Sequence, residues 1–218
     1  MVARRYLAEV IGTFILVVVG SMSIVTASAM QAPVLLVAPF GFGLGLLAAI
    51  QATGHISGGH YNPAVTFGAF LDGRIDAMNA VGYVVAQVVG AIAASAVVLL
   101  FSSQAAVQGT ANSFAEGKSA IAFGTEILLT AIFLLVILTV TRRAPGQAAF
   151  AIPLTLVMIH FAGIAFSGAS VNPARSLAPA LVGGTLDANI LVYIAGPLIG
   201  AAIGWAIYRA LDDGTPAD

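Results

Sequence analysis

The sequence contains no cysteine and very little charge, and each shortage removes a class of function. Without cysteine there is no disulfide, no thiolate metal site and no cysteine nucleophile, although compartment stays open. Charged residues make up 8% of the 218 positions, against about 25% in an ordinary soluble domain. So few charges could not cover the surface of a water-soluble fold of this size. The solvent must be largely lipid, as 60% hydrophobic residues and a mean hydropathy of +1.03 also indicate. Net charge is −1 with no basic run, so nucleic acid is not an expected partner. There is no Gly-x-x-x-x-Gly-Lys-[Ser/Thr] loop for ATP phosphates. Gly168-Ala169-Ser170-Val171-Asn172 fails the last position of the hydrolase Gly-x-Ser-x-Gly turn. His55 and His60 are not at helical ligand spacing, and no carboxylate cluster accompanies them. No metal, cofactor or enzymatic activity is expected.

What the chain does have is apolar length. A membrane-spanning helix needs about 20 largely apolar residues. Six stretches qualify, at roughly 6–28, 34–53, 80–101, 120–141, 148–167 and 188–210. Most connections are short. The exception, 102–119, is rich in Ser, Gln, Gly and Asn and reads as a surface loop. The first span also has features of a secretory signal: Arg4 and Arg5 precede it, and Ala27-Ser28-Ala29 has the small-x-small form of a cleavage site. Its long apolar stretch, Glu9 and its counterpart in span four argue for a retained helix. Arg4, Arg5, Arg74, Arg142, Arg143 and Arg209 all fall on one side of a six-span topology. By the positive-inside rule that side, with both termini, is cytoplasmic, in the plasma or inner membrane of the cell.

The chain repeats itself. Ser57-Gly58-x-x-x-Asn62-Pro63-Ala64 recurs as Ser167-Gly168-x-x-x-Asn172-Pro173-Ala174, and Tyr83, Gly90 and Ala91 recur as Tyr193, Gly200 and Ala201. Glu9 and Thr13 likewise correspond to Glu126 and Thr130. Two halves, approximately 1–105 and 118–211, thus form one membrane domain spanning 1–218. Each half holds three spans and one Asn-Pro-Ala segment. Three is odd, so the second half is expected upside down relative to the first, with the functional site between them near the membrane midplane.

Each Asn-Pro-Ala segment opens a stretch too short to span. Pro63 to about Leu71 and Pro173 to about Val182 reach roughly 14 Å at 1.5 Å per residue, about half the hydrocarbon core. Asn is a favoured N-cap, and Pro suits the first helical position. The motifs therefore read as starts of re-entrant half-helices, preceded by glycine-rich loops. Irregular backbone at membrane depth is tolerated only when buried in protein or lining a water-filled cavity. Inverted symmetry would bring the two helix starts together, each carrying about half a positive charge. They would bar cations, while the Asn62 and Asn172 amides donate to passing water. The expected class is all-α: six membrane helices plus two half-helices.

These segments, Ser57-Gly58-Gly59-His60-Tyr61-Asn62-Pro63-Ala64-Val65 and Ser170-Val171-Asn172-Pro173-Ala174-Arg175-Ser176, resemble the two signature loops of the aquaporin (major intrinsic protein) family. The resemblance extends over nearly the whole chain and implies passive water conduction, a homotetramer with one pore per subunit, and surrounding lipid. It also implies a constriction at Phe42, His160, Ala169 and Arg175, with Glu9, Glu126 and His60 supporting the loops. A charged Arg175 in an apolar half-helix must in any case face water or carbonyls, where it repels cations. His160 and Ser176 match the water-selective branch rather than glycerol conductors. Two positions depart from it: Ala169 replaces threonine, and Ile194 follows Tyr193 where many water channels carry tryptophan. Alternative functions are an aquaglyceroporin-like channel for small neutral solutes and, with Glu9 and Glu126 as a proton relay, an inverted-repeat secondary transporter.

Overall fold

A computed structural model describes residues 2–212. All regular structure among them is helical. In chain order it comprises α1 (Val2–Ala29), α2 (Val34–Ala49), α3 (His55–Ser57), α4 (Pro63–Leu71), α5 (Ala77–Phe101), α6 (Gln104–Gln108), α7 (Ser119–Arg143), α8 (Pro145–Ser167), α9 (Pro173–Gly183) and α10 (Ile190–Leu211). Six helices among the described residues are long and apolar enough to cross a membrane, and α2 reaches that length by continuing to Ser57. The chain is a multi-pass membrane protein.

The second span runs four residues past the expected boundary because its end widens into a π turn, Ile50–Gly54, before the single turn of α3. Wide turns of this kind gather at functional sites. Here the Ala49 carbonyl accepts from the Thr53 hydroxyl at 3.1 Å and the Tyr61 hydroxyl at 3.1 Å. The turn thereby ties the span to the first Asn-Pro-Ala loop.

Both half-helices begin as the residue types dictate. Asn62 is extended, and its side chain accepts from the Ala64 N–H at 2.8 Å, with Pro63 in the first turn. Asn172 accepts from the Ala174 and Arg175 N–H groups at 3.1 and 3.3 Å. The first half-helix stops at Leu71 before Asp72 and the left-handed Gly73, and the second stops at the left-handed Gly184.

The halves interlock. Within each, the first span packs on the second and third: α1 against α2 and α5, α7 against α8 and α10. Across the halves α2 packs on α8, α4 on α10, and α9 on α5. Each half-helix thus rests on the third span of the opposite half. Glycines permit the tightest crossings. A Cβ on Gly90 would overlap the Val10 carbonyl, and one on Gly200 the Ile127 carbonyl. These carbonyls belong to the residues following Glu9 and Glu126, so matched glycines seat matched helices. Small residues at such crossings are how membrane helices approach closely. Gly90→Val should lower stability by at least about 2 kcal/mol, because the obstruction is backbone and cannot rotate away. Gly146→Ala, with no atom near its would-be Cβ, should be nearly neutral. Thermal unfolding in detergent compares the two.

The segment 102–119 is mostly exposed, as expected of a surface segment, but it is not wholly irregular: it contains α6, buries Val107 and Thr110, and packs on the second half-helix. Its composition is polar because it meets polar groups of the protein as well as water.

Candidate functional site

Two buried glutamates organise the loops from which the half-helices emerge. Glu9, fully buried on α1, accepts from the Ser57 hydroxyl (2.6 Å), the His60 N–H (3.0 Å), the Tyr61 N–H (2.7 Å) and the Gln87 amide (2.8 Å). Glu126 on α7 does the same in the other half: the Ser167 hydroxyl (2.7 Å) and the N–H groups of Ser170 (2.8 Å) and Val171 (2.7 Å) donate to it. Backbone donors in irregular chain have no helical partner, and leaving them unpaired in a buried site is costly. The carboxylates answer that need.

The two loops share one conformation. Gly58, Gly59 and Tyr61 have positive φ of 92°, 70° and 48°, and Gly168, Ala169 and Val171 have 78°, 48° and 47° at the matched positions. Left-handed Tyr61, Ala169 and Val171 are unfavourable on their own; Glu9 and Glu126 hold Tyr61 and Val171 through their N–H groups, and the Ala169 N–H donates to the Ser167 hydroxyl oxygen at 3.1 Å. The same correspondence extends to side chains. His60 Nδ1 pairs with the Thr66 hydroxyl at 3.1 Å, and in the second loop the Ser170 and Ser176 hydroxyls pair. Gln87 also donates to Thr66 at 2.8 Å. No counterpart to it exists in the other half, where Pro197 occupies the corresponding position.

The loops meet through the two capping asparagines. The Asn62 amide donates to the Val171 carbonyl at 2.7 Å, and the Asn172 amide to the Tyr61 carbonyl at 3.0 Å. An amide NH₂ has two hydrogens. One on each asparagine is committed crosswise, leaving the other for a molecule between them. Pro63, Ala64, Pro173 and Ala174 are buried behind, where α4 and α9 abut.

A cavity of about 430 Å³ passes this meeting point. One wall is apolar, with Leu16, Leu46, Val65, Phe133, Ile137 and Leu156. The other is the irregular chain of residues 57–60 and 170–172, with Asn62. At one end stand Arg5, Arg74 and Thr141; at the other, Phe42, His160 and Arg175. A second cavity of about 170 Å³ lies beyond, lined by Thr110, Asn112 and Ser113 among others. The residues common to both are Phe42, His160 and Arg175. They form the neck between the two.

That neck is tightly built. The Phe42 and His160 rings stack with centroids 5.0 Å apart and planes within 10°. The Arg175 guanidinium sits 4.4 Å from the Phe42 centroid. His160 Nδ1 lies 2.9 Å from the Leu156 carbonyl. A carbonyl only accepts, so Nδ1 carries the proton and Nε2 is the ring's free acceptor. Arg175 Nη1 donates to the Thr110 carbonyl (3.0 Å) and Asn112 Oδ1 (2.7 Å).

Of the four positions expected at the constriction, Ala169 stands apart from the other three. It is fully buried and lines neither cavity, and a Cβ on Gly163 of α8 would lie 3.1 Å from its methyl. Sequence reasoning did not find Thr66, Gln87, Thr110 or Asn112. Gln87 carried a signal, as an uncharged polar residue amid an apolar span. Asn112, one polar residue in a polar segment, carried none.

The sequence profile of the family described as Major intrinsic protein matches residues 1–208. Among individual proteins, a glycerol uptake facilitator protein-like 6 of Lactiplantibacillus plantarum is 42% identical over 207 residues, covering 92% of this chain and 94% of its own. The proteins named Aquaporin Z of Photorhabdus laumondii and Rhodopseudomonas palustris are each 42% identical, over 228 and 226 residues. They cover 95% and 97% of this chain and 97% and 94% of their own. An X-ray structure of the aquaglyceroporin from Plasmodium falciparum superposes with a TM-score of 0.86 at 21% identity, covering 97% of both chains, which is a likeness of fold.

Proposed function

The chain belongs to the major intrinsic protein family, and on that premise we propose that it is a passive channel for water rather than an enzyme or a coupled transporter. The observation that carries this reading is the neck. Phe42, His160 and Arg175 are the residues common to both cavities, and two of the three are bulky rings stacked face to face. Beside them the guanidinium and the free Nε2 offer a donor and an acceptor to a molecule that must shed its neighbours. Both are what a single water needs, and a fixed positive charge repels cations.

Deeper in, the free hydrogens of Asn62 and Asn172 donate to the water oxygen between the helix starts. An oxygen that accepts from both sides points its own hydrogens outward, which interrupts a proton wire. The partly positive starts of α4 and α9 add an electrostatic barrier. Glu9 and Glu126 support the loops rather than relay protons, since loop and side-chain donors occupy their oxygens.

In the same reading the halves are inverted copies, the assembly is a homotetramer, and the protein resides in the cell membrane. The end carrying Arg5, Arg74, Arg142, Arg143 and Arg209 then faces the cytoplasm. Support for a shared end comes from contacts: Arg74 donates to Thr141 at 2.6 Å, and Arg142 and Arg143 pair with Asp212 at 3.1 and 2.9 Å.

The direct test is osmotic shrinkage of proteoliposomes by stopped flow. Fast water flux with a low activation energy, independent of ion gradients, is the expected result; flux like that of empty vesicles, or strict proton dependence, refutes the reading. Glycerol is the second solute to measure, given the similarity to a glycerol uptake facilitator-like protein. His160→Gly should raise the glycerol-to-water permeability ratio by about tenfold or more, the effect of relieving a steric barrier of ~1.4 kcal/mol. An unchanged ratio would remove His160 from the neck.

A further inference from the structure

The Asn112 side chain makes three hydrogen bonds into the second loop and half-helix. Its Nδ2 donates to the Gly168 carbonyl at 2.9 Å. Its Oδ1 accepts from Arg175 Nη1 at 2.7 Å and from the Ser176 hydroxyl at 2.8 Å. One residue thus grips the loop before the Asn-Pro-Ala motif and two consecutive residues after it. The Thr110 carbonyl is the other hydrogen-bond acceptor on the guanidinium, and Arg175 Nε, though buried, has no partner among the described residues. Residues 109 and 111–113 border both the outer cavity and a side pocket of about 300 Å³. Gln104 and Gln108 anchor the segment before this stretch by donating to the Gly183 carbonyl at 3.2 and 2.9 Å, and Phe114 anchors it after by packing on Tyr193. Between these anchors, residues 111–113 have a cavity on either face.

We infer that Asn112 is a positioning residue: it holds the Arg175 guanidinium against Phe42, at the wall of the neck and clear of its opening, so that a connection between the two halves sets the bore. The inference rests on the reading of the neck as a water pore. Released from Asn112, the guanidinium would seek another acceptor. His160 Nε2 is buried, has no partner among the described residues and belongs to the same neck. Arginine reaching for it would lie across the opening. A hydrogen bond to a charged group shifts such a two-state balance by about tenfold or more.

The experiment compares Asn112→Ala, Asn112→Asp and Asn112→Ala in a His160→Gly background, all reconstituted and normalised to the channel inserted. Asn112→Ala should lower water permeability per channel by about fivefold and raise its activation energy. Asn112→Asp keeps the acceptor and should stay within about twofold of the parent for water. Its carboxylate beside the guanidinium should meanwhile increase cation leak. Without the His160 acceptor, Asn112→Ala should cause no further loss relative to His160→Gly alone.

Full water flux in Asn112→Ala overturns the inference, as does equal loss in the Ala and Asp variants or additive loss in the double variant. If Asn112→Ala does not fold, Asn112→Asp decides alone: lost water flux or unchanged cation leak overturns it. A parent protein no faster than empty vesicles instead overturns the pore reading itself, so the two failures are distinct.

Discussion

Replacing Glu9 with alanine is expected to destabilise the channel by about 3–6 kcal/mol, with most protein lost from the folded fraction after mild heating in detergent. The magnitude follows from what the carboxylate serves. Four donors converge on it, two of them backbone N–H groups of the left-handed loop before Asn62. A buried donor left unpaired costs about 1–3 kcal/mol, and water from the adjacent cavity would recover part of the sum. Glu9→Gln separates charge from shape. Each carboxylate oxygen accepts from two donors, so an amide NH₂ in place of either oxygen faces donors of its own kind. The amide should therefore restore only part of the stability. Glu126→Ala should be somewhat milder, since three donors converge there. Thermal unfolding of the detergent-solubilised protein, followed by size-exclusion recovery, ranks the three variants. Full stability in Glu9→Ala would show that the loops hold their shape without the carboxylates.

Arg175→Val should increase leak of cations or protons by roughly a hundredfold while leaving water flux fast. The arginine is 5% exposed and is the one formal charge among the three neck residues. A monovalent cation about 5 Å from it, at an effective dielectric near 20, is repelled by about 3 kcal/mol, and that barrier disappears with the guanidinium. The leak should still be finite. The starts of α4 and α9, with Asn62 and Asn172, are untouched and keep their partial positive charge at the crossing of the loops. Dissipation of an imposed pH or potassium gradient in proteoliposomes measures the change. A variant as tight as the parent would move the charge barrier from the neck to the half-helix starts.

These two expectations divide the work between sites that look alike in the sequence. Glu9 and Arg175 are both lone charges in apolar surroundings. One is satisfied by protein donors on both oxygens. The other is held by two acceptors, keeps Nε without a partner among the described residues, and borders open space. Burial alone would not tell them apart; the partner inventory does.

The six spans, the two half-helices and their starting residues could be read from the sequence because each depends on neighbours along the chain. Apolar runs of sufficient length, an extended Asn capping the next N–H groups, and Pro in the first helical turn are local properties. The repeat was equally legible, since matched residues keep their spacing. Other features only the tertiary structure decided, because they depend on segments that meet far apart in the chain. The crosswise bonds from Asn62 to Val171 and Asn172 to Tyr61 join the two halves. Each half-helix packs on a span of the opposite half. The Ala169 methyl lies against α8, and neither cavity reaches it. Asn112 comes from a segment that reads as surface and turns inward onto Arg175, since a buried guanidinium needs acceptors that apolar helices cannot supply. Local chemistry fixed where helices begin and end. Long-range satisfaction of buried donors and charges fixed what faces the pore.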